Sequence, residues 1–353
     1  MNTRKAAFQH GLKTLSSPTP RTKRLARTAG SVAVRPDAPY RTRQMLPLDQ
    51  IVRGDCVATM NGLPEGSVDL VFADPPFNIG YLYASYDDDK TVDDYLKFSE
   101  SWMTAVFRVL KPGGSFFLAI GDEYAADLAV IARRKIGFNM RNWLIWHYTF
   151  GQQTKKMFAK SHTHVLYFTK GESDFTFNAD AIRVASARQT TYADVRANPK
   201  GKVPDDTWFL RPQEAAPFAY FEPTSDTWNI SRVCGTFKER EGWHGCQMPI
   251  AVLDRIIKAA SNPGEIVLDP FNGSGTTIVS AALLGRKYIG IEQDQKYVEF
   301  ATKRLAHALE ARDATTAAAD TTRESKILTK TDAFGRDRVK RTRAGKNTKV
   351  ESI

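Results

Sequence analysis

Apolar residues along this chain follow two alternating rhythms. Short continuous runs at 50–53, 68–73, 115–120, 143–148, 164–169, 266–268 and 288–291 read as strands, most of them buried on both faces. Between them, helices are expected at 56–63, 91–110, 124–135, 250–260, 275–284 and 295–309. In the second of these, Leu96, Trp102, Val106 and Leu110 are among the apolar positions, and Thr91 or Asp93 caps its start. Strands alternating with helices predict an α/β fold with a doubly wound, mostly parallel sheet. Residues 172–243 break the rhythm. They are rich in Pro, Trp, Phe, Thr and Arg, and predict an inserted, loop-rich module between a first half at 45–171 and a second at 244–311.

The run ending Val71-Phe72-Ala73-Asp74 meets two prolines, which have no N–H for a sheet ladder, so the strand must stop there. Asp74, Pro75, Pro76 and Phe77 then form a stiff loop at a strand's carboxyl end, where open α/β sheets build their sites. A carboxylate, fixed carbonyls and one aromatic face suit a flat base bearing an exocyclic amine. Four such residues also suit a plain strand-ending turn with a capping Asp.

A second cluster follows a later strand: Asp269-Pro270-Phe271-Asn272-Gly273-Ser274-Gly275-Thr276-Thr277. Two small glycines in a strand-to-helix turn let the backbone approach a ligand and aim helix N–H groups at it. The next strand ends in Glu292, an acid placed to accept hydrogen bonds from ribose hydroxyls. This pair serves a nicotinamide dinucleotide or any other adenosine-bearing cofactor. A dehydrogenase, however, gives no reason for Asp-Pro-Pro-Phe on another strand.

Composition narrows the setting. The 353 residues, 42% hydrophobic, can bury a full core. No apolar run approaches membrane-spanning length and no signal-peptide pattern opens the chain, so a cytoplasmic protein is expected. Cys56, Cys234 and Cys246 have no metal-binding spacing, which predicts reduced thiols and no metal site. The formal net charge of +11 is concentrated at the ends. Residues 1–44 hold ten Lys and Arg against one acid, and residues 312–353 hold eleven against six. Both stretches are expected to be disordered basic arms, either solvated tails or salt-sensitive contacts to a polyanion.

Taken together, Asp74-Pro75-Pro76-Phe77 and Asp269–Thr276 around a variable stretch resemble the amino-group DNA methyltransferases, in the subgroup whose catalytic motif precedes the cofactor motif. Gly54-Asp55-Cys56, Arg108–Gly114 and Trp243-His244-Gly245-Cys246-Gln247-Met248-Pro249 match further segments in order, the last with Met where the family has Lys. The resemblance covers roughly residues 46–309. It implies S-adenosylmethionine as cofactor, held by Asp269, Phe271, Gly273, Gly275 and Thr276, with Glu292 on the ribose, Asp55 near the adenine and Gln247 and Pro249 at the methionine end. Asp74 and the Pro75 carbonyl would take the target amine, Phe77 would stack on the base, and 172–243 would recognise the target.

The implied partner is double-stranded DNA with the target base flipped out, with a restriction endonuclease as a possible companion and a monomer or homodimer as the assembly. Asp in this motif usually accompanies adenine N6, whereas Ser usually accompanies cytosine N4. A cytosine-C5 enzyme would need a cysteine after a proline, and the three cysteines follow Asp, Val and Gly. Lys155, Lys156, Lys160, Arg133 and Arg134 are candidate phosphate contacts. Arg183, Arg188, Arg196 and Arg211 are candidate base readers.

Overall fold

The computed structural model describes residues 45–328 apart from 82, 84–85, 153–154, 209–239 and 244–245. The N-terminal arm, Arg211, Cys234, His244 and residues 329–353 lie outside the described residues.

The central strand is β2 (Val68–Ala73), and its apolar residues are fully buried because it is covered on both faces. In chain order the other strands are β1 (Gln50–Arg53), β3 (Leu110–Ile120), β4 (Asn139–Gln152), β5 (Lys160–Thr169), β6 (Thr207–Trp208), β7 (Ile266–Asp269) and β8 (Lys287–Glu292). They form one sheet ordered β1-β8-β7-β2-β3-β5-β4-β6. Pairing is parallel from β1 through β3, and β5 is antiparallel to both β3 and β4.

Alternation along β2 sends Val71 and Ala73 to one face and Leu70 and Phe72 to the other. Val68 shares a face with Val71 because the register shifts between Val68 and Leu70. The first face packs on α1 (Cys56–Gly62), α2 (Val92–Val109) and α3 (Ala125–Val130), through Met60, Trp102, Val106 and Leu128. The second packs on α5 (Ile250–Ala260), α6 (Thr276–Leu283) and α7 (Gln295–Leu328), through Val252, Ile256, Val279 and Leu305. Each such side chain buried from water contributes roughly 1.5–3 kcal/mol. The sheet is therefore doubly wound, as expected.

One expectation fails and another is refined. The last helix continues from 309 to Leu328, so the opening part of the supposed tail is helical. Residues 310–328 lack apolar periodicity, but they are rich in Ala and contain neither Gly nor Pro, so backbone propensity favours helix without a buried stripe. The helix after β3 also changes character, passing at Ile131–Ile136 into a π-helical turn that ends at Gly137, φ 101°. Within the insertion, the described part holds a 3-10 turn (Ala179–Ile182), the short α4 (Ala187–Thr190) and β6, which extends the sheet beside β4.

Candidate active site

Strand pairing assembles the site. β2 and β7 are direct parallel neighbours, with Leu70 opposite Val267 and Val71 opposite Leu268. Asp74–Phe77 and Asp269–Thr276, remote in sequence, therefore leave the same edge side by side. From β2 the chain winds towards β3, and from β7 it winds the other way to β8, so the loops flank the point where strand order reverses. A cleft of about 490 Å³ opens there.

On its catalytic side, the loop after β2 is held by side chains from elsewhere. The fully buried Tyr95 of α2 donates its hydroxyl to the Pro76 carbonyl at 2.7 Å. Burial pushes that phenol above its ordinary pKa, so it stays a donor. The Pro76 carbonyl is thus engaged from behind, and Asp74 and Pro75 line the cleft beside it. Phe77 packs against Gly121, where a Cβ would lie 3.3 Å from the ring edge.

The loop beyond is pinned by Asp88, which is 3% exposed. Its carboxylate accepts the N–H groups of Asn78, Ile79 and Tyr81 at 2.8, 3.1 and 3.0 Å. Asn78, in the left-handed region at φ 56°, donates its amide to Tyr124 Oη at 2.9 Å and to the Lys90 carbonyl at 3.0 Å. Three consecutive acids at 87–89 read in sequence as a solvated, mobile loop. Instead its middle residue is an anchor, because a carboxylate with three backbone donors is satisfied away from water.

The cofactor side is built from backbone. Gly273, at φ 46°, donates its N–H to Glu292 Oε2 at 2.8 Å, and Asp294 N–H reaches Oε1 at 2.9 Å. The Glu292 carboxylate is thereby aimed, and burial raises its pKa. Asp269 is buried with its Oδ1 accepting from Phe271 N–H at 2.9 Å, and burial lifts it to about 7. Asp55 caps α1, accepting from Ala58 N–H at 2.8 Å. Burial, with Asp55 adding to it, pushes the Cys56 thiol up to about 12, so this cysteine is no nucleophile near neutral pH.

Of the residues expected at the site, Asp55, Asp74, Pro75, Pro76, Phe77, Gln247, Asp269, Phe271, Gly273, Thr276 and Glu292 line the cleft. Pro249 and Gly275 do not. Pro249 is the N-cap of α5, and Gly275, at φ 78°, is the N-cap of α6, where a Cβ would come 3.0 Å from Ala301 Cβ. Thr276 lines the cleft, yet its hydroxyl accepts from the buried Arg304 of α7 at 2.8 Å, so it locks the loop to that helix.

The sequence reading missed Trp146, Thr163, Cys246, Tyr83 and Tyr86, which also line the cleft. Tyr81, Tyr83, Tyr86, Phe98 and Phe271 form a chain of ring contacts with centroids 4.8–6.4 Å apart, linking the catalytic loop to the cofactor loop. Only the clustering of aromatics at 81–86 hinted at this.

Several basic candidates lie elsewhere or are engaged. Arg133 and Arg134 end the helix that returns from β3, which places them at the opposite sheet edge. Arg183 pairs with Asp180 at 2.6 Å, and Arg188 and Arg196 both pair with Asp194 at 2.6 and 3.0 Å, so the insertion's own acids hold these three.

The family model for DNA methylase, of the N6/N4 type, matches residues 68–303. The chain belongs to this DNA methylase family. It is 35% identical over 259 residues to the Type II methyltransferase M.HpaI of Haemophilus parainfluenzae, covering 73% of this chain and 74% of that protein. It is 34% identical over 258 residues to the DNA adenine methyltransferase YhdJ of Escherichia coli K12, covering 72% and 82%. Its fold matches PvuII DNA methyltransferase, which is cytosine-N4-specific, at TM-score 0.53 and 18% identity over 74% of this chain and 90% of that one.

This methylase is an enzyme that depends on S-adenosylmethionine. Its cleft fits that cofactor. Glycine backbone stands beside the aimed Glu292 carboxylate, and the Asn272 amide is buried in the cleft wall with neither polar atom paired among the described residues. Among the described residues no cluster of potential metal ligands occurs, and no helix is long and apolar enough to cross a membrane.

Proposed function

We propose that this methylase transfers a methyl group to the exocyclic N6 of adenine at a specific site in duplex DNA. The observation that carries the reading is Asp74-Pro75-Pro76-Phe77 at the strand-order switch, with the Pro76 carbonyl already taken by Tyr95. Asp74 and the Pro75 carbonyl each accept one amine hydrogen, which draws the nitrogen lone pair out of the ring and aims it outward. Phe77 stacks on the base and recovers part of the roughly few kcal/mol spent in leaving the duplex. When bound, S-adenosylmethionine supplies an electrophilic sulfonium methyl. Glu292 would hold ribose hydroxyls, so that donor and acceptor would meet in line between the two halves of the cleft. Asp74 is the base positioned to take the proton that the nitrogen must lose.

Adenine is favoured by Asp at position 74 and by the 34% identity to a relative named as a DNA adenine methyltransferase. Residues 172–243 are proposed to read the target site. Methylating DNA with the purified protein, digesting it to nucleosides and separating them by mass tests the base: N6-methyladenine is expected. N4-methylcytosine with no N6-methyladenine would replace adenine by cytosine and leave the mechanism standing.

A further inference from the structure

The hairpin joining β4 and β5 stands above the catalytic rim. Ile120, the last residue of β3, pairs with His164, so everything before His164 in β5 projects past the carboxyl edge that carries Asp74. Thr163 and its pairing partner Trp146 still line the cleft. Beyond them the hairpin continues to an exposed tip, Lys155-Lys156-Met157-Phe158-Ala159-Lys160. Phe158 lies six residue steps from His164, up to ~20 Å at about 3.3 Å per residue.

The stem is braced and the tip is exposed. Trp143 donates its indole N–H to His164 Nδ1 at 2.8 Å, and Tyr148 donates its hydroxyl to the His162 carbonyl at 3.0 Å. Lys160 lies 3.2 Å from Asp122, next to the Gly121 that backs Phe77. The strand register shifts between His147 and Gln152, a device that re-aims a strand end. Phe158 is 98% exposed and Met157 63%, with three lysines and no acid between 151 and 160. An exposed apolar ring set among ammonium groups is costly in water and matches a polyanion with a stacked apolar interior.

We propose that this tip is a wedge that enters the duplex where the target base has left the stack, with Phe158 filling the gap and Lys155 and Lys156 holding the flanking phosphates. The reach exceeds the depth of a B-DNA groove, about 8 Å, and phenylalanine wedges between base steps are an established way to stabilise opened DNA. The inference rests on the DNA-methylation reading above and assigns to the hairpin a role that reading does not need.

The test uses the full-length protein, unmethylated plasmid carrying its target sites, Phe158→Ala, and the double variant Lys155→Ala with Lys156→Ala. Because these side chains are exposed, S-adenosylmethionine affinity and the thermal midpoint should be unchanged. Phe158→Ala should lower kcat/KM on the plasmid at least tenfold, and Phe158→Trp should restore most of it. The double lysine variant should flatten the slope of log affinity against log salt by about 1.8. Phe158→Ala within twofold of the parent overturns the wedge, and an unchanged salt slope overturns the phosphate clamp and the proposal with it. If the parent protein itself leaves the plasmid unmethylated, the functional reading is what fails.

Discussion

The two halves of the cleft solve the same problem, presenting polar groups at a strand's carboxyl end, by different means. The cofactor half is built within its own two adjacent loops: Gly273 and Asp294 aim Glu292 through backbone N–H groups, and Asp269 orders its loop through Phe271. The catalytic half is held by side chains from outside its loop: Tyr95 and Tyr124, on and beside other helices, and Asp88 further along the chain. Local construction tolerates little variation in residue type, since it depends on positive φ and on atoms too close for a side chain. Remote construction tolerates variation in the loop but depends on packing at a distance. Damage to the two halves should therefore separate into cofactor affinity and turnover.

The sharpest separation comes from one substitution in each half. Asp74→Ala should cut methyl transfer by roughly three orders of magnitude with S-adenosylmethionine affinity nearly unchanged, because its hydrogen bonds act in the transition state. Gly273→Val should instead weaken cofactor binding roughly a hundredfold, as the left-handed backbone and the N–H to Glu292 are both disturbed. Calorimetric titration of the cofactor beside initial rates checks both, and near-normal turnover in Asp74→Ala would sink the catalytic assignment.

Asp88→Ala tests remote support. Three backbone N–H groups lose a buried acceptor, so stability should fall by roughly 2–4 kcal/mol. Turnover should drop more than cofactor affinity, since the loop it pins follows Phe77. Equal losses in both would mean the halves are mechanically one unit.

Asp269→Asn tests local support through pH. A folded-state pKa of about 7, above the ordinary 3.8, means that the folded state holds the proton more tightly than the unfolded chain. Asp269 therefore costs the parent stability progressively as pH rises from about 4 to about 7, and the cost is constant above that. Asn keeps the acceptor for Phe271 N–H without the charge. Relative to the parent, the variant should gain on the order of a few kcal/mol across that window, measured as urea midpoints at several pH values. A difference that does not change with pH would show that burial does not hold the proton on Asp269.

The smallest effect belongs to Tyr95→Phe. Removing the hydroxyl frees the Pro76 carbonyl and should cost about 1 kcal/mol of stability and less than tenfold in turnover. An unchanged rate would place the rigidity of this loop in its prolines alone.

Much of this protein was readable in its residues. Pro75 and Pro76 withhold two consecutive N–H groups that a central strand's ladder needs, and the alternation of apolar runs with helical spacing implies a doubly wound sheet, because both signals act between near neighbours. The two motifs could be named, and eleven of the expected site residues do line the cleft. Other features were decided by tertiary structure. Asp88 looked like one acid in a solvated run until burial among three backbone donors made it an anchor. Gly275 is expected at the cofactor from its motif alone, and the structure adds a second constraint, close packing against Ala301. Arg183, Arg188 and Arg196 stand out in sequence as candidate readers of DNA, and the structure adds that acids a few residues away pair with them. Periodicity and turn chemistry report what a backbone will do locally. Which charge meets which partner depends on how each loop turns back on itself and on what buries it, and that is set only when the loop packs on the finished sheet.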